Sequence, residues 1–295
     1  MSAVERAARA VERATWLDHV AQPVQKGVLA GYAAGGELGR RVKNALHGTW
    51  LGHPLHPVLT DVPLGAWTAA AVLDVLRPAG PTPQRGADVA VAVGIAGAVG
   101  AALTGLTDWA HTDGRARRTG ILHAVLNTAA LGLYTASMVA RLSGARRTGR
   151  ALAMVGLGVV GTAAYLGGSL VFWHRIGVRH GPTMDEPREF AAALQDGELR
   201  EGELRRVEVT GRPVLLARRH GRVRALAETC THLGGPLAEG TLEGDAVRCP
   251  WHGSRFALED GRVLDGPAAA PQACLEARVR DGWIEVRVAP DEEPG

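Results

Sequence analysis

Cysteine is scarce in this sequence: Cys230, Cys249 and Cys274 are the only three in 295 residues. Three thiols build no disulfide framework, and two of them fall in a metal-ligand pattern, so a reducing compartment is expected. Cys274 stands alone between Ala273 and Leu275 and reads as a small apolar residue. The chain also lacks a compact Lys/Arg block interleaved with aromatics, which are 4% of its residues. That excludes nucleic acid as an expected partner. The net charge of +3 comes mostly from arginine, the residue expected to flank membrane spans. A secretory signal is not expected either. MSAVERAARAVERATWLDHV carries Glu5, Glu12 and Asp18 and no continuous apolar stretch; it reads as an amphipathic helix beside a membrane or packed on the domain.

Long apolar runs are present, and only in one part of the chain. Mean hydropathy is near zero, but that average hides two unlike halves in a length that suits about two domains. Ala151 to Trp173 has no charge and is long enough to cross about 30 Å of hydrocarbon. Val89 to Thr107 and Ile121 to Ala140 are two further candidate spans. Val62 to Leu76 is shorter, contains Asp74, and needs Pro57 to Thr60 or a tilt to cross. Small residues recur along these runs, Gly97, Ala101 and Gly105 on one and Gly156, Gly161 and Gly168 on the last. Such faces let helices approach closely in lipid. A compact four-helix bundle is expected; a soluble all-helical core is the alternative.

Four spans put both ends of the bundle on one side. That side holds Arg40, Arg41, Lys43, Arg115, Arg117, Arg118, Arg175 and Arg179. The other holds Arg77, Arg85, Arg141, Arg146, Arg147 and Arg150. The bias favours a cytoplasmic terminal side. A polar linker, RIGVRHGPTMDEPREF, follows, with a short helix expected around Glu189 to Leu194. Then come short strands, VEVT, VLLARR and VRALA, separated by Thr210-Gly211 and His220-Gly221. VRDGWIEVRV reads as a hairpin turning at Asp281-Gly282. This is a small antiparallel β domain.

Its chemistry lies in CTHLGG at 230–235 and CPWHGSRF at 249–256. Each stretch supplies one thiolate and one imidazole: Cys230 and His232, then Cys249 and His252. That donor set suits a [2Fe–2S] cluster with two cysteines on one iron and two histidines on the other. Gly234, Gly235 and Gly253 allow backbone N–H groups to approach cluster sulfides. Pro250 stiffens the second loop, and GPAAAP at 266–271 reads as a third loop over the site. A Cys₂His₂ zinc site is the alternative, but zinc fingers group the cysteines in one loop and the histidines later.

Residues from about 200 to 290 resemble the Rieske ferredoxin family throughout, with CTHLGG and CPWHGS as highly specific motifs. The resemblance implies three stacked sheets with the cluster at one tip, Cys230 and Cys249 on the inner iron, and His232 and His252 on the exposed outer iron. Rieske proteins of cytochrome bc complexes add two cysteines that form a disulfide; Gly235 and Trp251 stand at those positions, so a quinol-oxidising subunit of that type is not expected. Ser254 remains as a donor to a sulfide, while Phe256 replaces the tyrosine of high-potential members. A potential in the lower part of the Rieske range, roughly −150 to +300 mV, follows. HGTWLGHPLHPVLTDVPLGAW at 47–67 resembles a family of four-span bacterial membrane domains of unassigned function, marked by its His-Pro-Leu-His-Pro stretch, over about residues 15–175.

The expected architecture is multidomain: an N-terminal amphipathic and juxtamembrane segment at 1–56, an α-helical four-span transmembrane bundle at 57–175, a linker at 176–199, and a small all-β Rieske domain at 200–290. His123 lies inside a span with Asn127 one turn away, and His53, His56 and His111 fall near the same face beside Asp61 and Asp108. Three readings of them stand. Asp61 caps the first span and the histidines bond helix ends; or His53 or His56 joins His123 or His111 at a haem or other metal; or His123, Asn127 and Trp109 line a quinone pocket.

The functional expectation is a membrane-anchored electron carrier in the cell membrane, its Rieske domain cytoplasmic. Its partner is a redox protein or the quinone pool, and the exposed histidine ligands couple reduction to proton uptake. Two alternatives remain. One is the electron-supplying component of a Rieske oxygenase system. Here Asp108-x-x-His111 begins a mononuclear-iron pattern that no second histidine completes. The other is a redox-sensing membrane protein. No independent catalytic residue is assigned.

Overall fold

The computed structural model describes residues 3–76, 81–180 and 189–288. Arg77 and part of the expected linker, 181–188, lie outside them. The chain packs as two units, Met1–Leu46 with Pro54–Ile176, and His47–His53 with Gly177–Gly295.

The first unit is helical. The amphipathic start is two helices rather than one, α1 (Ala3–Arg13) and α2 (Asp18–Ala34), with a 3₁₀ turn at Thr15–Leu17; α3 (Gly36–His47) follows. Asp18 opens α2 and holds Arg117 at 2.9 Å and Arg118 at 2.8 Å, while Gln25 donates its amide to the carbonyls of Trp109 and Thr112. The amide thereby ties α2 to the end of α5, where the Trp109 carbonyl also accepts the Thr112 N–H at 3.0 Å and the Thr112 hydroxyl at 2.8 Å.

Four helices long and apolar enough to cross a membrane come next: α4 (Leu55–Leu76), α5 (Pro81–Trp109), α6 (Gly114–Leu142) and α7 (Arg146–Phe172). The short first run gains its length from residues 55–61, so Asp61 falls in the second turn of α4, exposed, and caps nothing. α4 packs chiefly on α5, and α6 on α7. Small residues permit this. A Cβ on Gly97 would come within 2.6 Å of Val62, and one on Gly156 within 2.9 Å of Tyr134. Gly161 and Gly168, expected on the same footing as Gly156, meet no other helix; Gly167, against His123, takes that role. In the centre, Trp67 of α4 stacks on Tyr134 of α6 at 3.8 Å and 5°. Asp74, the charge that spoiled the first apolar run, is buried in an ion pair with Arg141. Arg141 also meets Asp88, and Asp74 also meets Arg150, each at 3.2 Å.

The second unit is antiparallel β. Its strands are β1 (Ala191–Gln195), β2 (Leu204–Val209), β3 (Arg212–Arg219), β4 (Arg222–Ala227), β5 (Thr241–Glu243), β6 (Ala246–Arg248), β7 (Arg255–Ala257), β8 (Val263–Asp265), β9 (Cys274–Arg280) and β10 (Trp283–Val288). Among the described residues they make two sheets, ordered β1-β10-β9-β4-β3-β2 and β5-β6-β7-β8. Three sheets were expected; the larger one joins two three-stranded halves through only two β4–β9 pairs, Ala225 with Leu275 and Leu226 with Cys274. The helix expected at Glu189 to Leu194 is instead β1, an edge strand paired with β10. An available strand edge outweighs local helix propensity over so few residues. Turns Thr210-Gly211, His220-Gly221 and Asp281-Gly282 carry positive φ at both residues, the geometry of two-residue hairpins that match strand twist.

Candidate metal centre

Three loops leave the two sheets toward one site. Loop one (229–236) links β4 to the smaller sheet, loop two (249–254) joins β6 to β7, and loop three (266–273) joins β8 to β9. Each of the first two closes on itself. Cys230 N–H donates to the Gly235 carbonyl at 2.9 Å and Gly234 N–H to the Cys230 carbonyl at 3.0 Å; Cys249 N–H donates to the Ser254 carbonyl at 2.8 Å and Gly253 N–H to the Cys249 carbonyl at 3.1 Å. Gly234 and Gly253 turn with φ of 82° and 75°, where a side chain would be strained.

Loop three is tied to both. Thr231 Oγ1 donates to the Ala270 carbonyl at 2.8 Å and Ala268 N–H to Ser254 Oγ at 2.9 Å. Gln272, buried, receives Thr231 N–H and donates to the carbonyls of Ala227 and Thr229. A fourth segment touches loop three from outside it. A Cβ on Gly266 would lie 3.1 Å from His47 and 3.4 Å from Thr49, both in the stretch His47–His53 that packs with this unit. From the other end, His180 N–H donates to the Thr231 carbonyl at 3.1 Å. The motifs alone gave no hint of these two contacts, since they come from residues far outside them.

The four expected donors gather as two pairs. Cys230 and Cys249 are buried unoxidised thiols whose sulfurs share a hydrogen bond. Each sulfur also accepts two backbone N–H groups of its own loop, from His232 and Leu233, and from Trp251 and His252. Their hydrogen bond lowers Cys249, while that same bond and burial push Cys230 up. Two buried thiols brought together in this way are soft donors that suit a thiolate-binding metal. The rings of His232 and His252 lie 5.1 Å apart, edge to face at 86°, and both are partly exposed. Two imidazoles on one tetrahedral ion, with bonds of about 2 Å, place their centroids about 5 Å apart. Residues and spacing therefore fit one iron on the thiols and one on the imidazoles.

Around these pairs, Gly235 is forced by contact: a Cβ there would lie 2.8 Å from Cys249 Sγ and 3.2 Å from the Trp251 indole. The two positions that hold a disulfide in the bc-type proteins thus adjoin here as glycine and tryptophan. Ser254 and Phe256 are fully buried. Ser254 Oγ spends its acceptor on Ala268, which leaves its O–H for donation. Glu228, buried at the end of β4, is pushed up by that burial. Cys274 lies half-buried in β9, 3.4 Å from the Glu259 carbonyl.

In the helical unit only some of the expected histidines meet. His56 and His123 face each other with centroids 6.4 Å apart. His53 belongs to the other unit. His111 Nδ1 bonds its own helix at the Thr107 carbonyl, 3.4 Å away. Trp109 donates to the Arg117 carbonyl and packs with Ala21 and Ile121, not with Asn127.

Residues 189–277 match the family model described as the Rieske [2Fe-2S] domain, and residues 52–180 match one described as "Predicted membrane protein (DUF2231)". Over 90 residues the chain is 36% identical to ferredoxin CarAc of Metapseudomonas resinovorans, covering 30% of this chain and 84% of that protein. Over 96 residues it is 34% identical to the 3-phenylpropionate/cinnamic acid dioxygenase ferredoxin subunit of Photorhabdus laumondii, covering 32% of this chain and 90% of that one. It is 33% identical over 99 residues to human apoptosis-inducing factor 3, which is 34% of this chain but only 16% of that protein's length.

Proposed function

Since the chain belongs to the Rieske [2Fe–2S] domain family through its C-terminal unit, we propose that it is a membrane-anchored one-electron carrier. A [2Fe–2S] cluster, when bound, takes up and releases one electron. Cys230 and Cys249 would hold its inner iron, and His232 and His252 its outer iron. The observation that carries this is the sorting of donors into a buried thiol pair and a partly exposed imidazole pair across two hydrogen-bonded loops. The four apolar helices supply the anchor, and the arginine bias favours a cytoplasmic Rieske unit.

The partner docks where the imidazoles reach the surface, beside Trp251, which is 56% exposed. Exposed aromatics are frequent anchors of protein interfaces. Relatives named as ferredoxin components of dioxygenases favour an oxygenase component as that partner; a quinone and a sensing role are the competing assignments.

The test is EPR of the reduced, detergent-solubilised full chain with its iron and sulfide content. A Rieske-type signal with two acid-labile sulfides per chain is expected, absent from Cys249→Ser and His252→Ala. Zinc in place of iron, or a signal that survives both substitutions, would defeat the assignment.

A further inference from the structure

The helical unit contains its own repeat. A shift of 67 residues lays LHAVLNTAALGLYTASMV (122–139) of α6 on LHPVLTDVPLGAWTAAAV (55–72) of α4, with half of the positions identical. A shift of 62 lays VGLGVVGTAAYLG (155–167) of α7 on VGIAGAVGAALTG (93–105) of α5. The first shift carries His56 onto His123, Trp67 onto Tyr134 and Asp74 onto Arg141; the second carries Asp88 onto Arg150, Ala101 onto Ala163 and Gly105 onto Gly167.

The contacts obey the same shifts. Trp67 stacks on its image Tyr134, and Asp74 pairs with its image Arg141. The contact of Asp88 with Arg141 becomes that of Arg150 with Asp74, both at 3.2 Å. His56 Nδ1 donates to the Ala101 carbonyl at 2.9 Å, and His123 Nδ1 to the Ala163 carbonyl at 2.8 Å. Each ring lies against the glycine one turn further on, Gly105 or Gly167. Contacts that map onto their own images are the mark of a two-fold relation. Two hairpins running the same way across a bilayer place that axis along its normal.

We propose that this quasi-two-fold axis carries a metal site, one ion held in trans between the imidazoles of His56 and His123. At the aromatic and charged levels the equivalent side chains touch. At the histidine level the centroids are 6.4 Å apart. Two imidazoles on opposite sides of one ion, with bonds of about 2 Å, stand about 6 Å apart. Both Nδ1–H groups are spent on carbonyls, the arrangement that leaves Nε2 as the ligating nitrogen and fixes each ring. Asn127 reaches His123 Nε2 at 3.1 Å and the His123 carbonyl at 2.9 Å; ligation replaces the first bond and leaves the second. Imidazole suits copper and iron. The same pair serves a bare two-coordinate ion or the iron of a tetrapyrrole, whose ring supplies the remaining ligands. The site stands apart from the Rieske assignment, and its failure would leave that assignment intact.

Metal analysis and absorption spectra of the purified full chain decide it, with His56→Gly and His123→Gly measured with and without added imidazole. One metal per chain beyond the cluster's two irons is expected. A Soret band would identify a tetrapyrrole, and copper without one a bare ion. Either glycine variant should lose the extra metal, and imidazole should restore it, while the cluster's EPR signal persists as evidence of a folded chain. Wild-type metal fully accounted for by the cluster overturns the proposal, as does extra metal that survives both substitutions or a loss that imidazole does not reverse.

Discussion

Gly235 and Ser254 show how single atoms decide the metal centre. Gly235→Ala would set a methyl 2.8 Å from Cys249 Sγ, so its iron-to-protein ratio should fall well below that of wild type under identical expression. Ser254→Ala removes the buried hydroxyl that accepts from Ala268 at 2.9 Å. Losing a donor near cluster sulfur lowers the potential, so the midpoint should move negative in an EPR-monitored titration with occupancy unchanged. An unchanged midpoint would mean that the hydroxyl donates elsewhere. At this scale the sequence named its candidates, because Cys-x-His and Cys-x-x-His single out four donor types that the fold gathers into two pairs. Gly266 against His47 was not, since a contact across more than two hundred positions leaves no local pattern.

Between helices, buried charge and surface charge call for different expectations. Arg141 and Asp74 are buried together. Removing one partner strands the other in a low-dielectric interior at a cost of about 3–5 kcal/mol. Arg141→Met should therefore lower the unfolding temperature in detergent sharply, and Arg141→Met with Asp74→Leu should recover most of the loss. Asp18 is a milder tie. Its hydrogen bond from Arg118, followed by that from Arg117, holds its carboxyl below the usual range. A depressed folded value means that the contribution is complete above the unfolded pKa of about 3.9 and fades as pH falls through the folded one. Asp18→Asn should accordingly speed amide exchange in α2 at neutral pH, and the difference from wild type should shrink in strong acid. Helix existence was readable from the apolar runs, and hairpin turns from their glycines. The strand at β1 was not, because AAALQ has no alternation and is fixed by pairing with the edge of β10 and packing on the core beside it. The partner of Asp74 was hidden for a related reason: an aspartate in an apolar run looks like a flaw until its arginine, 67 positions away, is placed beside it.

Over the whole molecule, four helices crossing a membrane would place residues before α4 and after α7 on one side, and the arginine bias favours the cytoplasmic one. Reporter fusions after residue 180 and at the N-terminus should give the same cytoplasmic response, and opposite responses would rule out the four-span topology. The division of the chain between the two units has a further consequence for exchange of parts. His47–His53 packs with the β unit although helical residues flank it on both sides, so the polypeptide crosses from one unit to the other three times. No single cut separates them. A chimera that joins a free ferredoxin to the end of α7 would leave this stretch without its seat at Gly266, and the intact β unit cut out at residue 177 would lose a piece of its own wall. The boundary useful for recombination is therefore a pair of sites, and inheritance of the two units as a single cassette is favoured over shuffling of either one.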